Sequence, residues 1–139
     1  MGEINLRRVV LSGVLAGVAL NVIDFVLYGH VFTTTFPIPA GTTGLFGIGL
    51  LRWFIMLDIV WGIALVYVYA AIRPRFGPGP RTAVIAGLLV WVFAGLLHAL
   101  GEAPMRLEPP KLYVIGTLTG LVEWPLVTVI GARFYREGA

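Results

Sequence analysis

Four long apolar stretches dominate the pattern of hydrophobic and polar positions along this chain. They cover Leu6–Tyr28, Leu50–Ile72, Thr82–Leu100 and Leu112–Ala132, and charged or turn-forming residues separate them. A helix needs about 20 apolar residues to cross the hydrocarbon core of a bilayer. Because lipid offers no hydrogen bonds, such a stretch must satisfy its own backbone groups, which a helix does. The pattern predicts one all-α domain over residues 1–139, an integral membrane four-helix transmembrane bundle.

The composition agrees with a chain embedded in a membrane and narrows its chemistry. Hydrophobic residues make up 58% of the chain and charged residues only 12%, against about 25% charged residues in soluble domains. The chain has no cysteine, which excludes disulfides, iron–sulfur clusters and thiol catalysis. We interpret Leu6–Tyr28 as a retained first span, because it is too long for the apolar part of a signal peptide and no small-residue cleavage site follows it.

The basic residues are divided unequally between the two ends of the predicted bundle. One end has three of them, Arg52, Arg106 and Lys111, and the other has seven, Arg7, Arg8, Arg73, Arg75, Arg81, Arg133 and Arg136. Cytoplasmic loops carry the excess of Lys and Arg. We therefore expect both termini in the cytoplasm and the spans in a bacterial inner membrane. The net charge is only +3, so the expected partner is the lipid bilayer and not a nucleic acid.

Three spans carry a carboxylate inside the apolar run, at Asp24, Asp58 and Glu123. A charge at the bilayer centre costs about 2.5 kcal/mol or more, so such groups are normally turned inward and paired. Glu123 lies in the segment GTLTGLVEWP, two residues before Pro125. Since proline has no N–H, the carbonyl of Leu121 loses its helical partner close to that carboxylate.

Four further polar residues belong to the same predicted site. Asn21 precedes Asp24 on one face of the first span. His98 and Glu102 are four residues apart at the outer end of the third span, and Arg52 begins the second. We expect Arg52 to pair with Asp24 or Glu102 instead of remaining alone. The inner half of the bundle is mainly Gly, Ala, Val and Leu, so the sequence predicts a polar cluster open to the outside and closed toward the cytoplasm.

Pairs of glycines one turn apart mark the predicted helix contacts. They are Gly13 and Gly17 in the first span, and Gly116 and Gly120 in the fourth. Glycines at this spacing let two helix backbones approach closely. We expect these faces to pack within the bundle or between protomers, giving a homo-oligomer or a subunit of a membrane complex. The order of base, acid and base recurs in the second and fourth spans and suggests two parallel helical hairpins.

Three short segments carry a resemblance to known proteins. NVIDFVLYG at residues 21–29, AAIRPRFGPGPRTA at residues 70–83 and GLVEW at residues 120–124 resemble small four-span bacterial membrane proteins of unknown activity. The resemblance implies the four-span fold. It implies no activity and assigns no functional residue.

Two functions without catalysis follow from these residues. In the first, Asp24, Asp58 and Glu123 bind or pass a proton, a cation or a small solute, with His98 and Glu102 at the outer mouth. In the second, the protein is a structural or accessory membrane subunit without its own ligand. Its carboxylates then only pair with neighbouring side chains, namely Arg52, Asn21, Trp61 and Trp91.

A third function uses His30 and His98 as ligands of a haem or a metal in a membrane enzyme. The spacing of His98 and Glu102 also suits one metal ion, although two ligands on one helix favour an interfacial histidine that is hydrogen-bonded to a neighbour. The chain has no Ser-His-Asp spacing, phosphate loop or HxxxH pair, so no catalytic residue, cofactor or metal is assigned. The first connection, Val31–Gly49, is scarcely charged, and we expect it to lie along the outer interface or, as the less favoured alternative, to dip back over the bundle.

The division of basic residues predicts the orientation directly. A reporter fused after Ala139 is expected to show activity in the cytoplasm, because seven of the ten basic residues lie at the end where both termini are placed. An alkaline phosphatase fusion and a green fluorescent protein fusion at this position give opposite signals for the two sides. A periplasmic signal would reverse the orientation and the outer placement of the carboxylates.

Overall fold

The computed structural model describes residues 3–27, 48–107 and 109–137, and these residues form four long helices. The four candidate membrane spans are Leu6–Val26, Leu51–Phe76, Pro80–Met105 and Pro110–Phe134. The second helix itself begins at Ile48. Each helix is long and apolar enough to cross a membrane. The predicted all-α four-helix architecture is confirmed.

The helices extend beyond several of the predicted apolar runs. The second helix continues through Pro74 to Phe76, one turn past the stop that the sequence predicted after Ile72. Pro74 has no N–H to donate to a carbonyl of the preceding turn. The basic side chains Arg73 and Arg75 lie in the last turn, where positive charges stabilise the C-terminus of a helix. Pro80 and Pro110 each open a helix, a position where proline's missing N–H costs nothing.

The first two spans touch backbone to backbone through glycines. A Cβ built on Gly13 would lie 2.5 Å from the Cα of Ile63, and one built on Gly17 would lie 2.5 Å from the Cα of Ile59. Gly62 of the second span meets the backbone of Gly13 and Gly17 in return. Since no side chain fits at these three positions, the contact requires glycine on both helices.

The fourth span closes the bundle against the first and third. Gly131 meets Ala16 and the backbone of Ser12, while Gly87 of the third span faces the backbone of Pro125. The first span thus pairs with the second, and the third pairs with the fourth, as two hairpins that also contact each other along the first and fourth spans.

Aromatic side chains tie the two termini together at the arginine-rich end. Tyr135 is buried and its ring meets Tyr69 edge to face at 6.0 Å. Its hydroxyl accepts a hydrogen bond from the Asn5 amide at 3.3 Å. Arg73 lies over the same ring, 5.7 Å from its centre, and forms an ion pair with Glu137 at 3.0 Å. These contacts close that end of the bundle.

A turn of three residues joins the second span to the third. Gly77 and Gly79 have φ angles of 81° and 127°, a region that only glycine adopts without strain. The hydroxyl of Thr82 donates to the Gly77 carbonyl at 2.7 Å, and the Gly79 amide donates to the hydroxyl of Tyr69 at 3.2 Å. The turn is therefore held by hydrogen bonds from both helices that it connects.

The four glycines predicted to lie at helix contacts have different surroundings. Gly13 and Gly17 are buried in the bundle, and Gly120 lies against the indole of Trp91. For Gly116, no described atom outside its own helix lies within 4 Å of the place of its Cβ, so the described bundle provides no contact there. A contact of Gly116 with a second chain stays a prediction.

The glycine contact predicts a difference between two alanine variants. Gly17→Ala should lower the free energy of unfolding by about 1–3 kcal/mol, because its methyl group overlaps the backbone of Ile59. Gly116→Ala is the matched control, because its added methyl group meets open space and alanine favours a helix more than glycine does. Thermal unfolding of the purified variants measures both. Equal melting temperatures would show that the first two spans do not rely on this contact.

Candidate functional site

The three carboxylates within the spans all lie on helix faces that are turned inward. Asp58 is 8% exposed and Glu123 is 6% exposed, while Asp24 is half-buried. On the first span the buried residues recur at helical spacing and include Gly17 and Leu20. Asp24 is the next position of that series. On the fourth span Glu123 lies on the same side as the buried Gly120 and Val127.

The carboxyl groups of Asp24 and Glu123 are within hydrogen-bonding reach of each other. The antiparallel packing of the first and fourth spans explains this contact, since Gly131 lies beside Ser12 and Ala16. Counting up one helix and down the other brings Asp24 and Glu123 to within about one turn of the same level. Ionised carboxylates only accept hydrogen bonds, so a bond between these two groups needs a proton on one of them.

Asp58 is a third acid in the same region of the bundle. It is close enough to Asp24 of the first span and to Glu123 of the fourth span for their charges to interact. Its backbone carbonyl lies at the Gly17 contact, which holds the second span close to the first. Within residues 3–27, 48–107 and 109–137, no three His, Cys, Asp or Glu side chains are arranged to hold one metal ion. The described bundle thus contains two buried acids, Asp58 and Glu123, and one half-buried acid, Asp24.

Two expected partners of the carboxylates interact elsewhere. Arg52 is exposed, and among the described side chains it forms no ion pair with Asp24 or Glu102, so that prediction was wrong. A long arginine side chain near a helix end reaches the interface more cheaply than it enters the bundle. Asn21 donates from its side-chain amide to the carbonyls of Gly17 and Ile55, at 3.0 and 3.2 Å. It therefore joins two helices through their backbones.

The tryptophans near the carboxyl groups also have other contacts. The indole N–H of Trp91 donates to the Thr117 carbonyl at 2.8 Å, so it is not a partner of a carboxylate. Trp61 stacks against Trp124 with ring centres 5.1 Å apart. Trp124 directly follows Glu123 and was not singled out from the sequence. Its position well inside a span was a usable signal, because tryptophan is usually enriched at membrane interfaces.

Irregular backbone lies beside Glu123 in two neighbouring helices. Pro125 interrupts the hydrogen bonding of the fourth span from within. The third span is wound as a π-helix over Trp91–Leu96, a feature that is frequent at functional sites. Trp91 at the start of that segment contacts Gly120. The π-helical segment therefore begins about one turn along the third span from Gly87, the residue that faces Pro125.

His98 and Glu102 form a pair of their own at the far end of the third span. The Nε2 atom of His98 lies 3.2 Å from the Oε1 atom of Glu102. The His98 side chain is 66% exposed and that of Glu102 is 37% exposed, so the pair lies at the edge of the bundle. The hydrogen-bonded alternative for this spacing is the one observed. His30, the second histidine considered as a haem or metal ligand, lies outside the described residues. So does the connection Val31–Gly49, except for the residues that begin the second helix, and its course stays a prediction.

The comparisons with known proteins add no family to these observations. No protein-family model matches the chain, and no curated protein or solved structure is significantly similar to it. The resemblance to small four-span bacterial membrane proteins stays a prediction.

The carboxyl pair predicts an infrared signal. The protein in neutral buffer should show a carboxylic acid band that shifts in heavy water, because the contact of Asp24 and Glu123 needs a proton. The band should be lost in Glu123→Gln, whose amide N–H can donate to an ionised Asp24. Glu3→Gln, which removes an exposed carboxylate outside the spans, is the control and should leave the band unchanged. A band that persists in the double variant Asp24→Asn/Glu123→Gln would belong to other groups.

Proposed function

We propose that this protein binds a proton between Asp24 and Glu123 from the outer side of the membrane and uses it in transport. The observation that carries the proposal is the contact between these two carboxyl groups in the interior of an apolar bundle. The Oε1 atom of Glu123 is buried, and no described group forms a hydrogen bond with it. A buried acceptor without a partner is costly, so this atom is available to a proton, a water molecule or a hydrated ion.

The surroundings of the pair support a proton in preference to a metal ion or a fixed ion pair. A metal would need more ligands in reach than the described residues supply there. A fixed ion pair would need a basic partner, and the described ion pairs lie elsewhere, at Arg73–Glu137 and His98–Glu102. A proton shared by two carboxyls removes one charge from the apolar interior without any further partner.

The two halves of the bundle support access from the outer side. Asp24 lies two residues before the end of the first helix, near the end opposite to the arginine-rich one. Toward the arginine-rich end, small and fully buried side chains close the interior, among them Ala16, Val66 and Thr128. Beyond them the contacts of Tyr135 with Asn5 and Arg73 close that end. A proton therefore has a shorter path to the outside than to the other face.

Loss of the proton would act on the packing of the helices. Two unit charges about 4 Å apart repel by about 4 kcal/mol at the effective dielectric of a protein surface region, and Asp58 adds a third charge. This repulsion opposes the contact between the first and fourth spans. Since Pro125 and the π-helical segment Trp91–Leu96 leave the neighbouring backbone less tightly bonded, the proton can be linked to a rearrangement of the third and fourth spans.

The partners expected of a purely structural subunit do not occupy the carboxyl pair. Arg52 is exposed, Asn21 donates to backbone carbonyls, and Trp91 donates to Thr117. This favours a site for a mobile ligand over a set of acids that only hold the helices together. The accessory role is the outcome that the experiment below would establish if the proton had no function.

Proton movement in proteoliposomes tests the proposal. The protein is reconstituted into liposomes that enclose a pH-sensitive dye, and the external medium is then acidified abruptly. Valinomycin and potassium hold the membrane potential at zero. Wild-type protein should acidify the interior at least tenfold faster than protein-free liposomes do. Glu123→Gln and Asp24→Asn should reduce the rate to that of protein-free liposomes, because each leaves one carboxyl without its partner.

Glu3→Gln provides the control for the flux measurement, since this exposed acid lies outside the spans and should not change the rate. A second readout, tryptophan fluorescence, follows proton binding without transport. Because Trp124 lies next to Glu123 and stacks on Trp61, the fluorescence should change with pH in wild type and not in Glu123→Gln. If flux and fluorescence are the same in wild type and both pair variants, the carboxyls are structural and the accessory role is correct.

A further inference from the structure

The basic end of the bundle uses only one kind of cation. Its seven basic residues are all arginines, and the only lysine of the chain, Lys111, lies at the other end. Orientation in a membrane requires only positive charge, which lysine supplies equally well. Arginine differs because its planar guanidinium binds the oxygens of a phosphate group in pairs. The arginines at this end are therefore suited to bind phosphate groups as well as to orient the chain.

The second and fourth spans both end in an Arg-Phe pair at this end. They are Arg75–Phe76 and Arg133–Phe134, and the two phenylalanines are 57% and 54% exposed. A second arginine follows each pair, Arg81 after the turn and Arg136 after Tyr135. All four of these arginines are exposed, and the described carboxylates form ion pairs with none of them.

The neighbouring Arg73 differs from these four because its charge is already used. It forms an ion pair with Glu137 and lies over the ring of Tyr135. This contact brings the ends of the second and fourth spans together, so the two Arg-Phe pairs lie at the same end of the bundle. The two described acids at this end are Glu3, which is exposed, and Glu137, which is paired with Arg73, so the seven arginines outnumber them.

The turn between the second and third spans fixes Arg75 and Arg81 in place. Gly77 and Gly79 adopt conformations that only glycine favours, and Thr82 and Tyr69 bind the turn by hydrogen bonds. A turn held in this way loses little further freedom when a ligand binds between its arginines. Phe76, at the start of the turn, provides an apolar contact at the same level.

We propose that Arg75, Phe76 and Arg81 form a binding site for the headgroup of an anionic phospholipid. The two guanidinium groups would bind the phosphate, and Phe76 would lie against the first carbons of the acyl chains. Arg133, Phe134 and Arg136 would extend the same surface toward a second lipid. A phospholipid satisfies both requirements at once, because its phosphate and its acyl chains lie at the depth where charged and apolar side chains meet.

Native mass spectrometry of the full chain in mild detergent tests the site. The lipids are a phosphatidylglycerol and a phosphatidylcholine with the same acyl chains, titrated separately. Wild type should bind the phosphatidylglycerol at least tenfold more tightly. Arg75→Gln/Arg81→Gln should weaken that binding about 25-fold, since each basic residue near an anionic surface contributes about fivefold. The matched control Arg106→Gln/Lys111→Gln removes two exposed basic residues at the opposite end and should have no effect.

Three further measurements decide the outcome. Arg75→Lys/Arg81→Lys keeps the positive charge but loses the paired hydrogen bonds of the guanidinium groups, so it should weaken binding about threefold or more. This lysine pair replaces the glutamine pair as the test if the glutamine pair does not fold. Glycerol 1-phosphate at the lipid concentration should not displace the phosphatidylglycerol. Displacement by glycerol 1-phosphate would make this a site for a soluble phosphate. Equal binding by the glutamine pair and the control pair, or equal affinity for the two lipids, would overturn the proposal.

Discussion

The close approach of the first and second spans is the contact on which the rest of the bundle depends. Between helices in lipid there is no hydrophobic driving force, because the acyl chains are as apolar as the side chains they touch. Association therefore depends on van der Waals packing and on hydrogen bonds. Gly13, Gly17 and Gly62 supply the first by bringing the two backbones together. Asn21 supplies the second by donating to carbonyls of both helices.

This close packing also explains where the acids lie. The helix face that carries Gly17 continues to Asp24, and the opposite helix presents Asp58 at the same contact. The acids are thus drawn into the interior by a packing contact that lies next to them. Their burial has an energetic cost that the apolar contacts must offset. Replacing buried charged groups by apolar residues of similar volume is often neutral or stabilising.

The sequence predicted the fold well because the relevant physics is local. Length and apolarity alone define a spanning helix, and the structure confirms four of them. The helix ends were less predictable, since the second helix continues through Pro74. The inward placement of Asp58 and Glu123 follows from helical spacing, which the sequence contains. The functional role of these acids is not tested by the structure and stays a proposal.

What the sequence could not provide is the choice of partner for each polar group. Arg52 has the charge to pair with Asp24, but the cost of leaving the interface decides against it, and that cost depends on three-dimensional depth. Trp91 has one N–H, and whether it meets a carboxylate or the Thr117 carbonyl depends on the π-helical winding that begins at this residue. Such winding leaves no pattern in the apolar residues, which follow the same spacing in either case.

The short turn at Gly77–Gly79 has a mechanical consequence. Because it joins the second and third spans directly, their ends at this side cannot move apart, and any relative motion of the two helices must be a tilt about the turn. A span of 26 residues is about 39 Å long at 1.5 Å per residue. A tilt of about 5° then moves its far end by about 3 Å while the near end stays in place. The displacement is therefore largest at the helix ends that are far from the turn, on the side of the membrane where Asp24 lies.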